Sequence, residues 1–201
     1  MVISEAQQTA SPDSLYMNGP CRITIRPAQL SDANSLTVVH VRSWLAATNR
    51  VSDVEEFDSL LRRNTHRWVA RLRAASRSSL QTALVAEEKN RVVGLLFAAP
   101  SADPDTSADV VQLSALYVLP ERWRRGIGRG LQETMFATRQ FVERYSRVTL
   151  WVAADDGAAR AFYKITGWHV DAEGLYRSER SPSGRFVRYY QHTHQHLSGS
   201  C

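Results

Sequence analysis

Residues 110–131 read VVQLSALYVLPERWRRGIGRGL, and this stretch decides the fold that the sequence predicts. Its first nine residues are mostly apolar and rich in strand formers, which indicates a buried strand. Pro120 ends the run because proline has no N–H group for a sheet ladder. Apolar side chains then recur every four residues from Ile127 to Met135, as they do on one face of a helix. We therefore expect a strand, a short basic loop and the start of a helix.

The loop between these two elements, residues 122–130, combines glycine with arginine. Gly126 and Gly128 carry no Cβ, so the backbone there can approach a ligand closely. The first turn of a helix offers unpaired N–H groups and the positive end of the helix dipole, which favour an anion. Four arginines add positive charge, and we predict a cradle for a pyrophosphate. A plain surface loop stays open as an alternative, because the spacing matches neither G-x-G-x-x-G nor a P-loop.

A second patterned stretch, residues 155–168, reads DDGAARAFYKITGW. Either of its first two aspartates can cap a helix, and apolar side chains follow at spacings of three and four up to Ile165. Gly167 stands where a helix often ends on glycine. Spacing alone favours core packing as the role of Phe162 and Tyr163.

Both stretches resemble motifs of the GNAT N-acetyltransferase family. LYVLP at 116–120 followed by RGIGR at 125–129 resembles motif A, and residues 155–168 resemble motif B, N-x-x-A-x-x-F-Y-x-x-x-G-F. The resemblance implies an α/β acyltransferase fold, with a mixed central sheet of about seven strands flanked by helices. It also implies a loop that holds the pyrophosphate of acetyl-CoA and a strand that pairs with its pantetheine arm.

The resemblance also implies roles for individual residues. Tyr163 would lie beside the sulfur of CoA and protonate the departing thiolate as general acid. The residues implied in cofactor binding are Leu116, Tyr117, Val118, Arg124, Arg125, Gly126, Ile127, Gly128, Arg129 and Asp156. Trp123 departs from the family pattern, which has Gln or Arg there, and Asp156 replaces Asn. A carboxylate cannot donate a hydrogen bond as an amide does, and helix capping is the simpler role for Asp156.

The reaction implied is direct attack of an amine on the thioester. A lysine-like amine at pH 7 must first lose a proton, which costs roughly 4.6 kcal/mol, so a base or a water chain to one is expected. Many relatives carry glutamate on the motif A strand, and the position to compare is Gln112, which cannot take a proton. Glu55, Glu56 and Asp58 are alternatives that a solvated helix face also explains, and we name no base. A backbone N–H within 116–118 could hold the thioester oxygen.

Periodicity places the other elements. Strands are expected over 22–26, 80–87, 92–98, 110–118, 147–153, 167–172 and 184–192. Helices are expected over 32–47 with Ser31 and Asp32 as an N-cap pair, from a capping box at Ser52 to about 61, around Trp68 to about 74, over 126–145 and over 155–166. A turn is expected at 89–90 and a bulge at Gly94. This order fits an α/β fold with a mixed sheet.

Length and composition bound the class of protein. The chain of 201 residues, 43% hydrophobic and 22% charged, suits one soluble globular domain. We expect a disordered leader over 1–20, the acetyltransferase domain over 21–192 and a tail over 193–201. Cys21 and Cys201 form no disulfide framework, and no secretory signal or membrane-length apolar run is seen. A cytoplasmic location without a membrane partner is therefore expected.

Charge and histidine content add little to the functional assignment. The net charge of +5 comes from arginine spread along the chain, so it suits an anionic ligand such as CoA and gives little support to nucleic acid as a partner. His192, His194 and His196 alternate and could bind a metal, but they fall in an expected frayed tail and no metal is predicted.

The function expected is that of an acetyl-CoA-dependent N-acetyltransferase acting on the amine of a small molecule. The alternatives are a protein or peptide N-acetyltransferase and a catalytically silent CoA-binding sensor, which the missing strand carboxylate would suit. Trp44, Trp68 and the loop 173–185 could line the acceptor site, with core packing the ordinary role of both tryptophans. The acceptor, the acyl length and the oligomeric state stay open, with a homodimer as one option.

Overall fold

A computed structural model of the chain describes residues 23–48, 53–177 and 185–193, with residues 172–177 described by their backbone alone. Within these ranges one sheet contains seven strands: β1 (Ile23–Pro27), β2 (Thr82–Glu88), β3 (Arg91–Pro100), β4 (Val110–Val118), β5 (Arg147–Ala153), β6 (His169–Arg177) and β7 (Arg185–His192). The α-helices are α1 (Ala33–Ala47), α2 (Val54–Arg77), α3 (Ile127–Ala137), α4 (Arg139–Arg144) and α5 (Gly157–Ile165). Short 3-10 turns lie at Leu30–Asp32 and Pro120–Arg122.

The strands lie in the order β1-β2-β3-β4-β5-β7-β6, which confirms the predicted mixed sheet. Every neighbouring pair is antiparallel except β4 and β5, which are parallel. That parallel ladder is short, because residues 110–112 face residues 147–149 and no further pairs follow. The remaining parts of β4 and β5 therefore border a cleft in the middle of the sheet.

Two bulges shape the strands beside this cleft. The register between β3 and β4 shifts by one residue at Ser114, which is left without a partner on β3. A bulge bends its strand and increases the twist, so β4 turns away from β5 soon after their last shared rung. The second bulge lies at Val93 in β3, next to Gly94, where the sequence predicted one.

The helices cover both faces of the sheet. α3 lies on the face to which Gly94 points, and a Cβ there would lie 3.1 Å from Ile127 Cγ2 and 3.3 Å from Leu131 Cδ1. Glycine at this position lets α3 pack closely against the sheet. α1 and α2 cover the opposite face, where the buried Trp68 meets the ring of Phe97 edge to face. None of the described helices is long and apolar enough to cross a membrane.

The two stretches predicted around 52–61 and 68–74 form one helix, α2. Its cap is Asp53, which accepts a hydrogen bond from the Glu56 amide at 2.7 Å. The capping residue predicted from the sequence, Ser52, lies outside the described residues. The helix is continuous because its apolar face continues through the predicted gap to Trp68.

The single helix predicted over 126–145 is wrong, because Thr138 breaks it into α3 and α4. Thr138 has an extended backbone, with φ −74° and ψ 109°. A continuous helix would have carried its apolar face on to Thr138 and Arg139. The break instead buries Phe141 and Tyr145, and the Tyr145 hydroxyl donates to the Leu80 carbonyl at 2.7 Å.

Asp32, one of the predicted N-cap pair, is the N-cap residue of α1, but its side chain makes no capping hydrogen bond to that helix. Its carboxylate accepts from the Gln29 amide at 2.7 Å and from Arg26 at 2.8 Å. A 3-10 turn precedes α1, and the arginine on β1 turns the carboxylate back toward the sheet.

The predicted acceptor loop 173–185 begins as strand, because β6 continues to Arg177 along β7. Residues 178–184 lie outside the described residues. So do the predicted leader and almost all of the predicted tail, with Cys21, Cys201, His194 and His196 among them.

Candidate active site

The N-terminus of α3 presents unpaired amides. Gly126 is the N-cap residue, with φ +78° and ψ −4°, and no side chain caps the helix. The first helical hydrogen bond runs from the Gly130 N–H to the Gly126 carbonyl at 2.9 Å. Within the described part of the chain, the amides of 127–129 have no acceptor, as is usual for a first helical turn. The left-handed backbone of Arg124, φ +64°, helps to curl the preceding loop into a concave array of N–H groups.

The two glycines of this loop serve different purposes. A Cβ on Gly126 would meet nothing within 4 Å. Glycine is favoured at this position because the backbone of Gly126 has a positive φ. A Cβ on Gly128 would lie 3.2 Å from the ring of Phe162 on α5. The sequence predicted that both glycines keep space for a ligand, whereas Gly128 keeps space for an aromatic ring. This contact joins the two motif stretches directly.

The edge of β4 that faces the cleft carries free backbone groups. The Leu119 N–H donates to the Val93 carbonyl on β3 at 2.9 Å, and alternation along the strand sends the Tyr117 amide to β3 as well. The amides of Leu116 and Val118 therefore point toward the diverging β5. An extended ligand laid along this edge would meet these two N–H groups and the Leu116 carbonyl.

The carbonyl of Val118 is already taken at this edge. It accepts hydrogen bonds from Ser43 Oγ at 2.8 Å and from Trp123 Nε1 at 2.6 Å. Trp123, which departs from motif A, is thus folded back on the end of β4, with 44% of its surface exposed. Its indole closes the free edge where the basic loop begins.

Tyr163 lies on α5, across the cleft from β4. Its ring packs against Phe162, Trp168 and Tyr189, with centroids 5.3, 5.7 and 6.2 Å away. Burial raises the pKa of Tyr163 well above its ordinary value, and charge on Tyr117 raises it further, so the two hydroxyls are close. Among the described residues, none binds the Tyr163 hydroxyl. The group is therefore a protonated donor at neutral pH.

The ends of α5 agree with the sequence. Asp156 is the N-cap residue, and its carboxylate accepts from the Ala159 amide at 2.9 Å. Gly167 has φ +88°, and its N–H donates to the Lys164 carbonyl at 3.3 Å. The Trp168 N–H donates to the Tyr163 carbonyl at 3.0 Å, which completes a Schellman motif. These two caps fix the helix that carries Tyr163.

A model of the acetyltransferase (GNAT) family matches residues 39–168, which is 130 of the 201 residues. The chain belongs to the GNAT family. The match spans the cleft and both motif stretches, so the family that the two motifs resemble is confirmed. Members of the family use acetyl-CoA as the acetyl donor.

Individual GNAT relatives are more distant. The uncharacterized N-acetyltransferase YuaI of Bacillus subtilis is 32% identical over 111 residues, which is 54% of this chain and 60% of the relative. The PaiA N-acetyltransferase of Thermoplasma acidophilum, solved in complex with coenzyme A, has a TM-score of 0.64 at 19% identity, over 83% of this chain and 97% of that one. YncA of Salmonella typhimurium, solved with its cofactor acetyl-CoA, has the same TM-score and identity, over 85% and 94% of the two chains. At these identities the two structures establish the shared fold.

Glu88 anchors the motif A loop of this GNAT chain, and the sequence analysis missed it. It is the last residue of β2 and is 6% exposed. Its carboxylate accepts from Arg122 Nε at 2.6 Å, while an Arg125 nitrogen lies 3.9 Å away. The strand was predicted to end one residue earlier. Lys89 and Asn90 form a two-residue turn, both with positive φ. Because a two-residue hairpin turn directly follows its strand, the turn predicted at 89–90 could have placed the end of β2 at Glu88.

We expect Arg122→Ala to lower the free energy of unfolding by about 1–3 kcal/mol, because a buried carboxylate keeps only a distant partner. CoA should also bind several-fold more weakly, because the loop before α3 loses its anchor. Urea unfolding and calorimetry measure the two effects. Arg139→Ala is the control, since it removes an exposed pair with Glu143 and should change stability by less than about 0.5 kcal/mol. Equal stability of the two variants would contradict the anchoring role.

The residues considered as a general base, or as contacts of the amine acceptor, differ in burial and lie on different elements. Gln112 is half-buried on the last rung shared with β5. Trp68 is 1% exposed and belongs to the core, and Trp44 is half-buried. On the first turns of α2, Glu55 and Asp58 are exposed and Glu56 is half-buried. The described residues include no group of three His, Cys, Asp or Glu side chains that could hold a metal ion.

A further cluster lies on the α1–α2 face beside Tyr117, and no sequence pattern revealed it. His40 of α1 stacks on the Tyr117 ring, with centroids 4.4 Å apart and planes inclined by 18°. Its Nδ1 is buried without a hydrogen-bond partner among the described residues. Burial, helped by Arg71 and Arg67, lowers the pKa of His40 to about 4. Because the two stacked residues come from distant parts of the chain, no local signal could pair them.

This lowered pKa makes stability depend on pH. The unfolded chain binds a proton on His40 near pH 6.5, whereas the folded chain binds it only near pH 4. The free energy of unfolding therefore falls as the pH is lowered from 6.5 to 4. We expect this group to lower the free energy of unfolding by about 3 kcal/mol between pH 7 and pH 4. Urea unfolding of His40→Gln should show a correspondingly shallower fall in stability over this range. Parallel pH profiles for the variant and the wild type would refute the assignment.

Proposed function

We propose that this chain transfers the acetyl group of acetyl-CoA to the amine of a small molecule by direct attack. One observation carries the proposal: the unpaired amides of α3, the free edge of β4 and the hydroxyl of Tyr163 border the same cleft. Membership of the GNAT family supports acetyl-CoA as the donor. Acetyl-CoA supplies an acetyl group already activated as a thioester.

The residues around the cleft suit the groups of CoA. The amides of 127–129 and the exposed side chains of Arg124, Arg125 and Arg129 would hold the pyrophosphate through N–H donors and positive charge. Gly126 shapes this cradle through its positive φ.

The pantetheine arm has a place along the strand edge. Leu116 and Val118 would pair with it as a neighbouring strand would, and Tyr117 would border it through its side chain. The Asp156 carboxylate caps α5 and can still accept a further hydrogen bond, which an N–H group of the arm would donate. An amide of Leu116 or Val118 would hold the thioester oxygen as negative charge develops on it.

Tyr163 would give its hydroxyl proton to the sulfur as the carbon–sulfur bond breaks. Between an ordinary tyrosine and an ordinary thiol, with pKa values of ~10 and ~8.5, this transfer is uphill by about 2 kcal/mol. Burial raises the pKa of Tyr163, but the sulfur anion would lose hydration in the same cleft, so both pKa values rise together. The amine nitrogen bonds to the acetyl carbon and loses its proton to water, because Gln112 on β4 cannot accept one.

A thiol-release assay with acetyl-CoA and a panel of small amines and peptides tests the proposal, with CoA binding followed by calorimetry. Turnover of small amines is the expected result. Turnover of peptides alone would favour the protein or peptide N-acetyltransferase. CoA binding without turnover of any amine would favour the silent sensor, and no heat of CoA binding would overturn the proposal altogether.

A further inference from the structure

Arg71 on α2 has no counterion among the described residues, which distinguishes it from the other described arginines that are at least partly buried. Six described arginines are at least partly buried: Arg26, Arg42, Arg71, Arg122, Arg147 and Arg188. Five of them lie within 4 Å of a carboxylate oxygen. Arg71 has neither a hydrogen bond nor an ion pair within the described ranges. In the part of the chain that the structure describes, Arg71 is therefore the one partly buried guanidinium that is not paired with a carboxylate.

The guanidinium of Arg71 is held in place by aromatic rings. Its Cζ lies 5.1 Å from the centroid of Trp68 and 4.9 Å from that of Phe97. Cation–π contacts offset part of the cost of partly burying the charge, but they use the faces of the rings, and no described protein group accepts from the five N–H donors of the guanidinium. None of its nitrogen atoms is among the fully buried, unpartnered atoms of the described residues, so the fork of donors is accessible to a ligand that brings an acceptor.

This cation is linked by ring contacts to Tyr117, on the strand that borders the cleft. The Trp68 ring that supports it also meets His40, which is stacked on Tyr117. Arg71 and Arg67 both act against the rise that burial causes in the pKa of Tyr117, which places the two cations close to that hydroxyl. The phosphate cradle lies on the other face of the sheet, at α3. The anion expected at Arg71 is thus distinct from the phosphates of CoA.

The spacing of the two cations strengthens the case. Arg67 and Arg71 are four residues apart on one face of α2, where like charges repel. A carboxylate or phosphate between them would remove this repulsion and match the fork of the guanidinium donors. A purely cationic amine would be repelled by the same pair.

We infer that the acceptor carries an anionic group, a carboxylate or a phosphate, beside the amine that is acetylated, and that Arg71 binds this group with the help of Arg67. The inference rests on the proposed function and narrows its substrate class. Amino acids and phosphorylated amines are favoured, and polyamines are disfavoured.

The test compares pairs of acceptors of which one carries an anionic group and the other lacks it. The probes are the L-amino acids, their carboxamides, and phosphoethanolamine with ethanolamine. We expect the best anionic acceptor to exceed its neutral counterpart at least 30-fold in kcat/KM. Preference for amino acids over their amides would indicate a carboxylate, and preference for phosphoethanolamine over ethanolamine a phosphate. Equal use of charged and neutral partners would overturn the inference while leaving the proposed function intact.

Variants locate the preference. Arg71→Met keeps an unbranched apolar stem between the two rings and should lower kcat/KM for the anionic acceptor about 100-fold, mostly through KM, with the neutral one within about threefold. Arg73→Met, an exposed position on the same helix, should change neither. Calorimetric titration of the CoA complex with an amino acid and its amide gives a readout independent of turnover. An unchanged preference in Arg71→Met, by either measure, would refute the role of this residue.

Discussion

The Tyr163→Phe variant is expected to lower kcat by 10²- to 10⁴-fold, the range typical of a lost general acid. The affinity for CoA should stay within about twofold, because phenylalanine keeps the ring packed between Phe162 and Trp168. The hydroxyl itself has no partner among the described residues, so its loss leaves no unsatisfied group behind. Thiol release and calorimetry with CoA measure the two quantities.

Tyr190→Phe is the matched control, because that ring lies beside His169 and His192 instead of the cleft. It should leave kcat unchanged. The raised pKa of Tyr163 adds a second expectation: the proton is retained at higher pH than on an ordinary tyrosine, so kcat should not fall as pH rises from 7 to 9. A kcat for Tyr163→Phe equal to that of the wild type would mean that water protonates the sulfur.

The Gly94→Val variant should damage both the fold and the cofactor site. Its Cβ would lie 3.1 Å from Ile127 and 3.3 Å from Leu131, and the branched side chain would push α3 away from the sheet. Overpacking of this kind costs about 1–3 kcal/mol. Because the proposed phosphate cradle is built on the first turn of α3, we expect CoA affinity to fall about tenfold.

Gly157→Val is the control for Gly94→Val. Gly157 is the first residue of α5, and a Cβ there would meet nothing within 4 Å. Its stability and CoA affinity should match those of the wild type. Thermal unfolding with and without CoA separates the two effects at Gly94. A destabilised Gly94→Val protein that binds CoA normally would show that CoA binding does not depend on the packing of α3 against the sheet.

Much of the site was visible in short-range patterns. The strand at 110–118, the basic loop and the helix after it follow from apolar alternation, a proline stop and a four-residue repeat. The cap at Asp156 and the end of α5 at Gly167 follow from the same local chemistry. Such features involve neighbours within about five residues, so spacing along the chain carries them.

Other features needed the folded chain. The break at Thr138 exists because Phe141 and Tyr145 reach the core only if the helix turns there. Glu88 becomes an anchor only when the hairpin places it beside Arg122. Helix propensity and capping patterns cannot register a partner that lies on another element.

The sequence by itself determined the family and the fold class, because the two motifs that carry the resemblance are short stretches of neighbouring residues. It also predicted a phosphate cradle at residues 122–130 and, through the resemblance, the candidate acid Tyr163. The tertiary structure alone decided that Phe162 occupies the space over Gly128, that His40 stacks on Tyr117, and that Arg71 has no counterion within the described ranges. These are contacts between distant segments, and they exist only after the sheet has brought its two faces of helices together.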